Sequence, residues 1–139
     1  MHKIFVFGTL KEGFPNFGTN KGIRYRGDFK TKERFPLYLV GQRFSPWLVL
    51  NSGEGHHVRG QVFEVSDDVL AEMDMLERIT APDGYRKVSM SVICLETGDE
   101  IRVLAYGKPP EMLEGAQVMQ ELAGEYGLEH AALYRSRLA

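Results

Sequence analysis

Apolar residues in this chain come in short alternating runs cut by Gly and Pro, and only two stretches depart from that pattern into helical spacing. Alternation places every second side chain on one face of a strand, and Gly or Pro ends the run. Lys3–Phe7 therefore predicts a first strand, stopped by Gly8, and Lys11–Gly22, rich in Gly, Pro and Asn, predicts a loop. Ile23–Arg26 and Asp28–Lys30 predict one half-exposed strand bent at Gly27. Pro36–Val40 and Trp47–Leu50 are short apolar runs bounded by Gly41, Pro46 and Ser52-Gly53, and Val58–Val65 alternates again, with Gly60 marking a bulge. Val88–Cys94 and Glu100–Tyr106, joined by Thr97-Gly98-Asp99, predict a hairpin that Pro109-Pro110 ends.

The first helical stretch opens with Ser66, an N-cap residue, followed by Asp67 and Asp68, whose charge suits a first helical turn. Val69, Leu70, Met73 and Leu76 then recur at helical spacing, and the helix fades by Thr80 because Pro82 bars continuation. Glu114–Glu125 predicts a second helix, with Val118, Leu122 and Tyr126 on one stripe. The tail from Leu128, with Arg135 and Arg137, carries little signal. No repeat or linker divides the 139 residues, so residues 1–139 are expected to form a single domain. The fold class is α+β, with a sheet curled over the first helix.

Composition narrows the function. With 17 basic against 19 acidic side chains and no basic block, there is no electrostatic footprint for a phosphate backbone, and no nucleic-acid partner is expected. No run approaches the length of a membrane span, and Ile4–Phe7 is too short for a signal segment, so no membrane partner is expected. The single cysteine, Cys94, excludes a disulfide within the chain, and a reducing cytoplasm is the simplest compartment. Phosphate-loop, dinucleotide, zinc-protease and serine-nucleophile motifs are all missing.

Two places can carry chemistry. At Phe7-Gly8-Thr9-Leu10 a strand ends in Gly, where main-chain N–H groups leave the ladder and a ligand can approach the backbone. A plain strand end reads the same way. Glu77 follows Met73 by four and Leu70 by seven, on the apolar stripe of its helix and in its last turn. Burial and the negative end of the helix dipole both raise a carboxyl pKa, toward proton exchange near neutrality. The alternative is a helix end turned to solvent, with Glu77 exposed or paired to Arg78 or Arg86. Tyr85, Tyr106 and Trp47 either pack or wall a cavity. His56-His57 lacks further ligands nearby and reads as a surface loop, so no metal site is expected. Cys94, on the apolar face of its strand, reads as core.

Taken together, Val6-Phe7-Gly8-Thr9-Leu10-Lys11, with Gly13 and Pro15-Asn16 behind it, resembles the N-terminal signature of the gamma-glutamylcyclotransferase-like family, closest to its gamma-glutamylamine cyclotransferase branch. Phe35-Pro36-Leu37, Gly41, Pro46-Trp47-Leu48, Gly60–Val65 and Met73–Glu77 followed by Tyr85-Arg86 follow in the family's order. The resemblance runs from Lys3 to Tyr106. It implies a small mixed β-barrel with a central helix and a C-terminal helix, and a pocket at one end. There Phe7, Gly8, Thr9 and Leu10 would hold a γ-glutamyl group and Glu77 would be the acid/base, closing the group to 5-oxoproline and releasing an amine such as lysine. It implies no cofactor, a small-molecule γ-glutamyl substrate, and a monomer or weak homodimer. A cyclotransferase acting on γ-glutamyl amino acids or a pathway intermediate, and a non-catalytic binding module on the same fold, are the alternatives. Phe7 stands where the family usually has Tyr, and residues 110–139 form an extension of unassigned role.

Overall fold

The structure, a computed structural model, describes residues 1–136. In chain order it contains β1 (His2–Val6), β2 (Ile23–Phe35), β3 (Leu37–Val40), β4 (Ser45–Leu48), β5 (His56–Val65), α1 (Asp67–Leu76), β6 (Arg86–Cys94), β7 (Glu100–Gly107), β8 (Val118–Leu122) and α2 (Leu128–Ala131). Strands β1, β5, β2, β6 and β7 close into a barrel in that order. Every neighbouring pair is antiparallel except the closing one, β1 with β7, where Ile4 lies beside Leu104 and Phe5 beside Ala105. Closure pairs both margins of the sheet and leaves no edge in the barrel. A separate three-stranded sheet, β4-β3-β8, stands beside it.

The unbroken apolar run in β1 follows from burial on both faces. Phe5 and Phe7 point into the barrel core with Phe29, Val62 and Val92. Ile4 and Val6 point the other way and pack with Phe63 and Val65 of β5 against Leu70 and Met73 of α1. The helix is thus the lid of a second core, fixed on β1 and β5. Its start follows the sequence: the Val69 N–H donates to the Ser66 hydroxyl at 3.3 Å. Its end comes earlier than Pro82 alone requires, because Arg78 takes a left-handed backbone, φ 53°, and ends the helix at Leu76.

Three expectations need correction. Glu114–Glu125 is not a helix: Val118–Leu122 is β8, pairing antiparallel with β3. Gly115 (φ 79°) and Gly124 (φ 88°) interrupt any helical continuation, and Gly124 approaches the His57 carbonyl too closely for a side chain. The C-terminal helix is instead the short α2. Gly60 marks no bulge, since it pairs in register with Phe29. A Cβ there would lie 2.7 Å from the Phe5 ring, so the glycine admits β1 to the barrel wall. The register shifts fall in β2, between Tyr25 and Asp28 and between Lys30 and Arg34, the first at the predicted bend, where Arg26 has φ 57°. Pro46, read as a boundary, lies inside β4, an edge strand on which a missing N–H is tolerated.

Candidate active site

Where β1 ends, the chain turns sharply through Gly8, Thr9 and Leu10. The turn is braced through its acceptors. Lys11 N–H donates to the Gly8 carbonyl (3.1 Å) and Asn16 N–H to that of Thr9 (2.8 Å). Asn16 Nδ2 donates to Thr9 Oγ1 at 2.8 Å, and Asn20 Nδ2 to the Leu10 carbonyl at 3.0 Å. Among the described residues, the N–H groups of Gly8, Thr9 and Leu10 make no backbone hydrogen bond. Gly8 is required by contact: a Cβ would sit 2.8 Å from Pro46 Cγ.

Glu77 caps α1. Its N–H donates to Met73 O at 2.9 Å, and its carbonyl accepts from Tyr85 N–H at 3.0 Å. The intervening loop is tied by Arg86, whose guanidinium donates to the carbonyls of Ala81, Pro82, Gly84 and Tyr85. The side chain of Glu77 is neither sealed in the core nor free in water; the residue is half-buried. Tyr85 donates its hydroxyl to Pro46 O at 2.8 Å, bridging the Glu77 loop to β4.

Tyr106, buried on β7, donates to Asp74 Oδ1 at 2.7 Å, and Asp74 Oδ2 accepts from Lys87 Nζ at 2.8 Å. Burial, first, then the hydrogen bond to Asp74 and the charges of Asp74 and Glu77 push the Tyr106 phenol far above its ordinary range. It is a neutral donor locked onto a carboxylate.

Phe7, Gly8, Thr9 and Leu10 line one narrow cavity together with Glu77, Tyr85 and Tyr106. Its free space is about 40 Å³, room for a few waters. Trp47 does not line it. That ring walls an adjoining hollow of about 660 Å³, which shares Arg43, Ser45, Glu77 and Tyr85 with the cavity. There the Lys108 ammonium lies 4.5 Å from the Trp47 ring centre and 4.4 Å from that of Tyr85.

Sequence reasoning missed Asn16, Arg43, Ser45, Pro46 and Tyr134, which also line the cavity. Pro15-Asn16 and Pro46 stood inside the motifs that carried the resemblance. Tyr134 had no signal; it reaches the site from the C-terminal segment, where Asn16 Nδ2 donates to its hydroxyl at 3.2 Å. Arg135 N–H donates to Arg43 O at 2.9 Å, a second tie of that segment to the pocket rim. Arg137 lies outside the described residues. His57 Nδ1 bonds to Thr31 O at 2.9 Å, and Cys94 is buried in the barrel core. Among the described residues no three His, Cys, Asp or Glu side chains gather as a metal site, and no helix is long and apolar enough to cross a membrane.

Residues 4–127 match the family model described as gamma-glutamyl cyclotransferase, AIG2-like. The gamma-glutamylaminecyclotransferase of Mus musculus is 35% identical over 117 residues, covering 76% of this chain and 77% of its own. A Drosophila melanogaster protein named, provisionally, as a gamma-glutamylcyclotransferase is 36% identical over 110 residues, covering 75% of this chain and 68% of its own. The crystal structure of an AIG2-like protein from Mus musculus superposes with a TM-score of 0.77 at 31% identity, over 99% of this chain and 95% of that one.

Proposed function

The chain belongs to the gamma-glutamyl cyclotransferase, AIG2-like family, and from that premise we propose that it cyclises γ-glutamyl amines to 5-oxoproline, with Glu77 as general acid/base and the Gly8–Leu10 turn as the glutamyl cradle. The observation that carries the proposal is convergence. A carboxyl at the end of α1 and a turn of unpaired main-chain donors at the end of β1 line the same small cavity, although 69 residues of sequence separate Gly8 from Glu77.

In the reaction the substrate's α-amine nitrogen bonds to its own γ-carbonyl carbon, and the bond from that carbon to the leaving nitrogen breaks. The proton lost by the attacking nitrogen travels through Glu77 to the leaving one. Nothing is oxidised and no water is consumed. Three contributions of the protein follow. The cradle and cavity walls hold the glutamyl group folded, which ring closure needs. N–H groups of the turn face the developing oxyanion, each such donor being worth about 3–4 kcal/mol. Glu77, half-buried, carries the proton, and positioned acid/base help of this kind is worth roughly 10²–10⁴ in rate. Relatives named for γ-glutamyl amines support an amine as the leaving group.

The test is turnover of γ-glutamyl-ε-lysine, followed as released lysine and 5-oxoproline. Glu77→Gln is expected to melt like the parent and to lose about 10²–10⁴ of kcat. A variant that turns over at the parental rate removes Glu77 from the mechanism.

A further inference from the structure

We propose that Arg43 reads the leaving half of the substrate by pairing with a carboxylate carried on the released amine; this assignment rests on the cyclotransferase reading above. Arg43 stands at the boundary of the two spaces, lining both the narrow cavity and the wide hollow beside it. A γ-glutamyl group seated on the Gly8–Leu10 turn projects its leaving portion past that boundary.

The neighbouring cations are committed to the protein. Lys108 Nζ donates to Asp83 O at 2.6 Å between two aromatic rings, Arg78 pairs with Asp83 at 3.0 Å, and Arg86 is spent on loop carbonyls. Arg43 differs. Its residue is half-buried, and among the described residues its guanidinium makes no hydrogen bond or ion pair. A guanidinium at the rim of the hollow with no anion of the protein on it is open to an anion of the ligand, and its planar fork matches a carboxylate in two parallel hydrogen bonds.

The loop that carries it is also fixed in advance. Gly41 (φ 74°) and Phe44 (φ 52°) both hold left-handed backbone in the β3–β4 turn. For Phe44, a non-glycine residue, that conformation persists only where surrounding structure enforces it. The enforcement is visible: Gly41 N–H donates to Gln117 O (2.8 Å), Phe44 N–H to Gly41 O (3.1 Å) and Arg135 N–H to Arg43 O (2.9 Å). Side-chain recognition from so constrained a loop loses little entropy on binding.

The deciding pair of ligands is γ-glutamyl-ε-lysine and γ-glutamylcadaverine, which differ only in the leaving group's carboxylate. Both are titrated calorimetrically into the Glu77→Gln protein, where turnover is blocked, and into Glu77→Gln/Arg43→Gln. The lysine conjugate is expected to bind roughly 10- to 100-fold more tightly in the first protein, and the second to bring the ratio near one. Arg43→Lys, which keeps the charge and loses the fork, is expected to fall between, and serves if Arg43→Gln does not fold. A preference that survives removal of Arg43, or that was never present, overturns the assignment while leaving the cyclotransferase reading intact. Equal weakening of both ligands does the same, because it places Arg43 on the glutamyl carboxylate instead. Binding of neither ligand overturns both.

Discussion

Replacing Gly8 with Ala is the most direct strain on the proposed site. The added Cβ would sit 2.8 Å from Pro46 Cγ and 3.3 Å from Pro46 Cβ. Carbon atoms rest about 3.5–4.0 Å apart, so something must retreat by about 0.7 Å or more. Pro46 cannot give readily. It is buried, pairs with Leu39 in β4, and its carbonyl holds the Tyr85 hydroxyl at 2.8 Å. The Gly8–Leu10 turn therefore moves, and with it the main-chain donors of the proposed oxyanion site. Overpacking of this kind costs about 1–3 kcal/mol of stability. Misplacement approaching 1 Å costs on the order of 10²-fold in rate. Thermal unfolding and steady-state release of 5-oxoproline measure the two effects separately. Gly18→Ala is the control, since a Cβ there meets nothing within 4 Å. A Gly8→Ala protein with parental kcat and KM would refute the reasoning, because the cradle would then tolerate the displacement that the contact demands.

Two further outcomes follow from the same geometry. Phe7→Tyr is expected to keep or raise turnover, at a stability loss of about 1–3 kcal/mol because the ring packs in the barrel core and its new hydroxyl needs a partner there; a sharp rise in KM would show that the cavity is not arranged for the substrate in this way. Tyr106→Phe removes the 2.7 Å bond to Asp74, and hydrogen bonds to charged groups are worth about 1.5–3 kcal/mol. Because Asp74 keeps Lys87, the lower figure applies, or roughly 5 °C in Tm for a domain of this size. Since the Tyr106 phenol is raised in the folded state, its contribution is complete below the unfolded tyrosine pKa of about 10 and is lost as pH climbs above it. Denaturant midpoints from pH 9 upward should therefore fall less steeply in Tyr106→Phe than in the parent, and parallel curves would contradict the assignment.

The local signals in this sequence told most where one physical cause dominated. Ser66 with Asp67 and Asp68 announced the start of α1, and alternation in Val88–Cys94 and Glu100–Tyr106 announced the β6–β7 hairpin, because caps and alternation act over a few residues. Glu114–Glu125 misled because Val118, Leu122 and Tyr126 fit helical spacing while the pairing with β3 was made by residues some 80 positions earlier. At the site, Phe7–Leu10, Glu77, Tyr85 and Tyr106 were legible singly, and their convergence was supplied by the family resemblance rather than by spacing. Arg43 and Tyr134 were illegible. One depends on an exposed-looking hairpin turn and the other on a terminal segment folding back, and neither leaves a periodic trace.

The parallel seam between β1 and β7 has a consequence for how the chain must assemble. Strand β1 has one partner in β5 and another, Ala105 of β7, a hundred residues further along the chain. At about 5–20 residues per second, Ile4 to Phe7 wait some seconds, greasy on both faces, before the last stave arrives. So wide a separation of contacts slows folding. Until β7 is in place, the strand that leads into the proposed cradle has one margin unpaired, and Tyr106, which lines the same cavity, is missing.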